Sequence, residues 1–164
     1  MEEIIDVYDV HGKKLNKTIV RGHSQDLKDG EYVKAVAIWI KSGLKYLIQK
    51  VSKEKGSWWA VTSGAVPTGA TSLSQAIVEC KEELDLEITT DQLQFLGTIY
   101  VKDVIIDTYI YESEEDLESY NFSLQESEVE QIVWLTKDEI EDMIIKENVR
   151  YSTSQEYLKF IKDY

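Results

Sequence analysis

The stretch SGAVPTGATSLSQAIVECKEELDL, residues 63–86, decides the fold of this chain. It runs a glycine-containing loop into a segment whose apolar residues recur at helical spacing. Those apolar residues are Leu73, Ala76, Ile77, Cys80 and Leu84. Thr71 or Ser72 can cap a helix that begins here, so we predict an amphipathic helix with one apolar stripe.

Three carboxylates lie on the same predicted helix, at Glu79, Glu82 and Glu83. At roughly 100° per residue they fall within an arc of about 100°, on the side away from the apolar stripe. Carboxylate oxygens suit a hard divalent cation such as Mg²⁺, which binds and polarises phosphate oxygens. The segment therefore predicts a metal-assisted phosphate site.

A solvated acidic face is the alternative interpretation of these carboxylates. Asp and Glu number 31, so the pattern acid-x-x-acid-acid is expected roughly once by chance. Further matches to it occur at Glu112, Glu115 and Asp116 and at Asp138, Glu141 and Asp142. The glycine-containing loop distinguishes the helix set from these other two.

Length and charge limit the class of protein. With 164 residues and a formal net charge of −13, the chain has the size of one domain and disfavours nucleic acid or an anionic membrane as a partner. No N-terminal segment resembles a signal peptide, and no apolar run is long enough to span a bilayer. We expect a cytoplasmic protein that uses a cation to hold an anionic ligand.

Strand and helix patterns alternate along the rest of the chain. Apolar and β-branched residues predict hairpins over 4–20, 35–51 and 93–111, a strand at 58–61 that leads into a loop at Gly64, and a strand at 129–135. Thr136 and Glu139 form a capping-box pattern, and Ser152 or Thr153 can open the last helix, so we place the C-terminal helices within 136–163. The expected class is α+β.

The loop and helix together resemble the Nudix box, whose consensus is G-x5-E-x7-R-E-U-x-E-E-x-G-U, where U is a bulky aliphatic residue. Aligned on Gly64, the chain has matching residues at Glu79, Glu82, Glu83 and Leu86. Similarity extends over about residues 30–142, through YLIQKVSKEK at 46–55, Trp58-Trp59, and LQESEVEQIVWLTKDEI at 124–140. The first hairpin, 4–20, is similar to the N-terminal hairpin of a bacterial subgroup of the family that is MutT-like or isopentenyl-diphosphate-isomerase-like.

This resemblance implies a single Nudix domain over residues 1–164, an α/β/α sandwich around a mixed, curved β-sheet. Three positions depart from the box, because Ala70 replaces its first Glu, Val78 its Arg and Asp85 its last Gly. In the family, that Glu and Arg are generally paired and brace the loop. Replacing both charged partners by apolar groups can be nearly neutral, so we predict that Ala70 and Val78 hold the loop by contact instead.

The resemblance also implies roles for individual residues. Glu79, Glu82 and Glu83, with the backbone carbonyl of Gly64, would ligate Mg²⁺ or Mn²⁺. A carboxylate of the helix, Glu79 or Glu82, or a downstream one, Glu126 or Glu128, would act as general base.

Substrate-binding candidates lie just before the box. Lys50 and Lys53 belong to a short basic run with Lys55, which either contacts substrate phosphate or forms a solvated loop, and Trp59 lies where the family often has tryptophan.

Three functions follow from this resemblance. The first is metal-dependent hydrolysis of a diphosphate linkage in a nucleoside diphosphate derivative or similar small molecule. The second is a catalytically impaired Nudix-fold module that binds a nucleotide or a partner protein. The third, an isomerase of isopentenyl-diphosphate type, requires a reactive cysteine and histidine ligands that the chain does not offer. The last helix could pack on its own domain or across a homodimer.

Overall fold

Strands make up most of the regular structure in a computed structural model that describes residues 2–164. The nine strands within these residues are β1 (Ile4–Tyr8), β2 (Lys14–Val20), β3 (Val33–Ser42), β4 (Lys45–Val51), β5 (Trp59–Ala60), β6 (Thr62–Ala65), β7 (Leu93–Val101), β8 (Val104–Ser113) and β9 (Val129–Leu135). The longer helices are α1 (Ser72–Leu84), α2 (Lys137–Ile145) and α3 (Tyr151–Glu156), and α3 continues as a π-helical segment over Tyr157–Ile161. The predicted α+β class is confirmed.

The main sheet is mixed, as predicted, and helices cover both of its faces. Its strand order is β5-β4-β3-β8-β7, with β6 added to β3 and β9 added to β4. β3 and β8 run parallel, whereas β7 and β8 form an antiparallel hairpin. One core cluster packs α1 against the sheet, and a second packs α2 and the C-terminal helical segment against it. This is the predicted α/β/α sandwich.

β3 and β4 are paired only near their connecting turn, at Lys41 with Tyr46 and Ser42 with Lys45. Farther along, β6 pairs with β3 over 35–38, and β5 pairs with β4 at 49–50. The predicted 35–51 hairpin is therefore real only at its tip. Gly64, expected in a loop, lies within β6 opposite Val36, because this segment extends the sheet where β3 and β4 separate.

The N-terminal hairpin β1–β2 holds the loop that leads into α1. The Thr68 N–H donates to the Ile4 carbonyl at 2.9 Å, and Thr68 Oγ1 donates to Asp6 Oδ1 at 3.2 Å. The contact between Ala70 and Val78 stays a prediction. Ala70 packs against the core cluster that contains the apolar face of α1, and Val78 is 40% exposed.

Backbone contacts set two helix ends. At the end of α1, Asp85 adopts a left-handed conformation with φ of 56°. Asp tolerates this conformation better than most residues, and it explains why the consensus of the box has glycine at this position. α3 begins at Tyr151, ahead of the predicted caps Ser152 and Thr153. The reason is tertiary, because the Arg150 N–H donates to the Trp59 carbonyl at 2.8 Å. No helix within residues 2–164 has the length and apolar character needed to cross a membrane.

Candidate active site

A row of polar side chains runs along the inner face of α1. Gln75, Glu79 and Glu83 follow one another at i, i+4 and i+8, and all three are buried. This corrects the expected placement of the carboxylates on the side away from the apolar stripe. The buried face of α1 is broader than that stripe because the helix packs against both β3 and β6. Glu82, by contrast, is exposed.

The strand β6 and the helix α1 approach each other closely at Gly64. A Cβ atom at this position would overlap the carboxylate of Glu79, so that carboxylate lies directly against the backbone of β6. Gln75 Nε2 donates to Glu79 Oε1 at 2.8 Å and fixes its orientation. Only glycine leaves room for this arrangement.

Glu83 is held from the opposite side by β4. Gln49 Nε2 donates to Glu83 Oε1 at 2.7 Å, and Thr62 Oγ1 donates to Gln49 Oε1 at 2.9 Å. Burial raises the pKa of Glu83, and the neighbouring Glu79 carboxyl raises it further, whereas the hydrogen bond from Gln49 lowers it. The two carboxyl groups thus share a site that favours either a proton or a cation between them.

A cavity of about 760 Å³ opens beside this pair. Its wall includes Gly64 and Glu83 from the predicted box and Glu128 from the segment before β9. Lys55 also lines it and pairs with Glu128 at 2.8 Å. The volume lies within the range of small-molecule sites.

Three residues of the site were not predicted from the sequence, and they are Gln49 on β4 and Arg150 and Glu156 near the C-terminus. Gln49 carried a detectable signal, since it is a polar residue in phase with the buried Leu47 and Val51. Arg150 and Glu156 line the cavity and carried no motif. Their place follows from contacts between distant parts of the chain.

Glu156 is buried beneath the cavity, and Trp39 Nε1 donates to its Oε1 at 3.0 Å. Burial raises the pKa of Glu156 to about 8, although Trp39 and Arg150 oppose the shift. Trp39 is part of the core, and its indole N–H donates a hydrogen bond to this carboxyl group.

The predicted substrate-binding residues Lys50, Lys53 and Trp59 are not among the cavity-lining residues of the described chain. Because side chains alternate along a strand, Gln49 faces the site and Lys50 faces away. Lys53 lies near Glu126 at a separate, smaller cavity. Trp59 packs against the core beneath the C-terminal helices.

The donor set can be tested for its fit to a metal ion. As the side chains of residues 2–164 stand, no three of His, Cys, Asp or Glu form a group that could hold one. Glu79 and Glu83 nevertheless offer a pair of buried carboxylates beside a glycine backbone. A divalent cation would offset both their burial and their mutual repulsion, and hard oxygen donors suit Mg²⁺ or Mn²⁺. The pair therefore fits such a cation.

The protein belongs to the class with the Nudix fold. The mixed sheet, the position of α1 over Gly64 and the row of polar side chains on α1 define this class. No model of a known protein family matches the chain. The chain is 28% identical to Nudix hydrolase 3 of Arabidopsis thaliana over 177 residues, covering 96% of the chain and 23% of that protein. It thus spans about a quarter of the length of the curated relative it matches.

Solved structures agree with this class. A Deinococcus radiodurans protein superposes with a TM-score of 0.73 at 19% identity, covering 90% of this chain and 91% of that one. A Nudix hydrolase from Nitrosomonas europaea superposes with a TM-score of 0.61 at 15% identity, covering 76% and 84%. These similarities confirm the Nudix fold and the resemblance to the Nudix family.

Proposed function

We propose that this chain hydrolyses a diphosphate linkage in a nucleoside diphosphate derivative or a similar small molecule. The observation that carries the proposal is the buried Glu79–Glu83 pair, in which Glu79 lies against Gly64 and Glu83 lies in the wall of the cavity. Similarity to a protein named as a Nudix hydrolase supports a hydrolytic reaction.

In this proposal Glu79 and Glu83, with the backbone carbonyl of Gly64, hold Mg²⁺ or Mn²⁺. Glu82, exposed on the same helix, would contribute a third carboxylate. Such a cation, when bound, polarises the diphosphate and lowers the pKa of an attacking water molecule. Gln75 and Gln49 orient the two buried carboxylates through their hydrogen bonds, as partners behind the ligands commonly do.

Glu128 is our candidate for the general base. Glu128 lines the cavity, whereas Glu126 lies at the separate small cavity near Lys53. Glu128 would accept a proton from water as the water oxygen attacks phosphorus and the bond from phosphorus to the leaving phosphate oxygen breaks. Glu79 and Glu82, the other predicted catalytic residues, are assigned to the cation.

A module that binds a nucleotide without cleaving it is the second candidate. Ala70 and Val78 favour it, because with these two residues the loop before α1 lacks the charged brace of the family.

Turnover separates the two candidates. The purified chain is incubated with a panel of nucleoside diphosphate derivatives and Mg²⁺, and hydrolysis products are measured. We expect turnover by the wild-type chain and a loss of roughly 100-fold or more in Glu83→Gln. Glu118→Gln, a change at an exposed residue that pairs with Lys45, serves as the charge-matched control. Ligand binding without turnover would overturn the hydrolase and support the module.

A further inference from the structure

Arg150 is one of only two arginines in this acidic chain, and it is half-buried in the cavity wall. Its backbone N–H donates to the Trp59 carbonyl at 2.8 Å, and the Trp59 N–H donates to the Asn148 carbonyl at 3.2 Å. Its Nη1 donates to Ser63 Oγ at 3.3 Å. The guanidinium group is thereby held beside Ser63, the residue before Gly64 on β6.

No carboxylate pairs directly with this guanidinium group. Among residues 2–164, Arg150 takes part in no ion pair within 4.0 Å, and the contact with Ser63 is its one side-chain hydrogen bond. Arginine has five N–H donors and stays charged in proteins. Leaving such a group shielded from water is costly without a charged partner.

The other cations at the cavity are already paired or solvated. Arg21 pairs with Glu3 at 3.0 Å, Lys55 pairs with Glu128 at 2.8 Å, and Lys102 is exposed. Among the cavity-lining residues of the described chain, Arg150 is therefore the one cation that is both shielded and without a carboxylate partner.

We propose that Arg150 binds a phosphate group of the substrate in this cavity. The inference rests on the proposed function, because the phosphate belongs to the same diphosphate that the Glu79–Glu83 site would cleave. The planar guanidinium fork can donate two parallel hydrogen bonds to phosphate oxygens. It also places a positive charge close to Glu83, Glu128 and Glu156, which suits an anionic ligand.

Binding of inorganic diphosphate, measured by isothermal titration calorimetry in the presence of Mg²⁺, tests the proposal without requiring turnover. Removing Arg150 alone would leave Glu156 buried without its nearby positive charge. The comparison is therefore made between Glu156→Gln and the double variant Arg150→Met/Glu156→Gln, since Gln keeps an acceptor for Trp39 Nε1. Lys146→Met, at an exposed residue that pairs with Asp142 on α2, is the charge-matched control.

We expect the double variant to bind diphosphate at least about tenfold more weakly than Glu156→Gln, as the loss of a charged hydrogen bond implies. Arg150→Lys should retain part of the binding, and Lys146→Met should bind as the wild-type chain does. The proposal would be overturned if Glu156→Gln and the double variant bound diphosphate with equal affinity, or if the wild-type chain did not bind diphosphate.

The turnover assay distinguishes this result from a failure of the proposed function. A chain that binds diphosphate through Arg150 but hydrolyses nothing upholds the role of Arg150 and overturns the hydrolase. If turnover depends on Glu83 but the affinity for diphosphate is the same with and without Arg150, the hydrolase is upheld and the role of Arg150 is overturned.

Discussion

The carboxylate of Glu79 lies where a side chain on residue 64 would begin. Gly64 is thus required by close approach, not by turn geometry, because it lies in a strand opposite Val36. This close approach also affects the stability of the fold. The backbone of β6 and the side chain of Glu79 cannot both keep their places if residue 64 gains a Cβ atom.

Gly64→Ala is therefore expected to destabilise the chain by about 1–3 kcal/mol, the usual cost of overpacking. In a Glu79→Ala background the same change should cost much less, since the carboxylate that it displaces is gone. Urea unfolding of the four proteins in this double-mutant cycle measures the coupling. Additive effects of the two substitutions would show that residues 64 and 79 do not compete for this space.

Glu83 predicts a pH dependence in the metal-free chain. Its pKa is raised by burial and by Glu79 above the ordinary 4.5, so the unfolded chain loses this proton before the folded chain does. The contribution of Glu83 to stability therefore falls as the pH rises above about 4.5. Glu83→Gln should be more stable than the wild-type chain in EDTA, by about 1 kcal/mol or more at pH 8 and by less at pH 5.

Unfolding by urea at the two pH values, with EDTA or with excess Mg²⁺, measures this difference. Glu156, whose pKa is raised to about 8, changes stability in the same direction but is present in both proteins and cancels. Mg²⁺ should remove the advantage of Glu83→Gln. A difference that stays constant with pH, or shrinks as the pH rises, would contradict the assignment.

At the scale of single residues, the sequence predicted the positions that lie within one continuous motif. Gly64, Glu79 and Glu83 have a fixed spacing along the chain, and the fold brings all three together. Arg150 lies about ninety residues from Trp59, and only their backbone pairing carries it to the cavity. No local pattern contains that information.

The helix α1 and the loop before it form the element on which the site depends. In the absence of the charged brace of the family, the N-terminal hairpin supplies the support, through Ile4 and Asp6 to Thr68. Asp6 is itself buried, at 5% exposed. Thr68 itself is exposed, so its side-chain bond to Asp6 is partly shielded and should contribute measurably to the loop's stability.

Thr68→Val tests this support. We expect a loss of about 1–2 kcal/mol in unfolding free energy, because Asp6 loses a hydrogen-bond donor in a buried setting. Hydrogen exchange should also quicken over residues 66–71. Thr98→Val removes a similar bond, from Thr98 Oγ1 to Asp107 Oδ1 at 2.8 Å on the β7–β8 hairpin, and should leave exchange in the loop unchanged. Equal exchange of the loop in both variants would contradict a bracing role for Thr68.

Most elements could be predicted from the sequence, since periodicity and caps are local. The α1 cap at Thr71 and the capping box of Thr136 with Glu139 both appear in the structure. The separation of β3 from β4 could not be predicted, because turn residues indicate where two strands connect and not how far along the strands the pairing continues. The strand β6 takes up pairing with β3 through contacts that have no signature in either segment.

Over the whole molecule, a net charge of −13 and an anionic ligand are compatible only if positive charge gathers locally. A bound cation at Glu79 and Glu83, together with Arg150 in the wall of the same cavity, would supply it. The organisation of residues 1–164 as one domain stays a prediction.

The binding of Mg²⁺ tests the central claim most directly. Titration calorimetry is carried out on the wild-type chain, Glu79→Gln, Glu83→Gln and the control Glu118→Gln. We predict that the wild-type and control proteins bind Mg²⁺ and that either buried substitution weakens binding at least about tenfold, since each removes one of two buried carboxylate ligands. Unchanged affinity in Glu79→Gln and Glu83→Gln, or no binding by the wild-type chain, would contradict a metal centre at this pair.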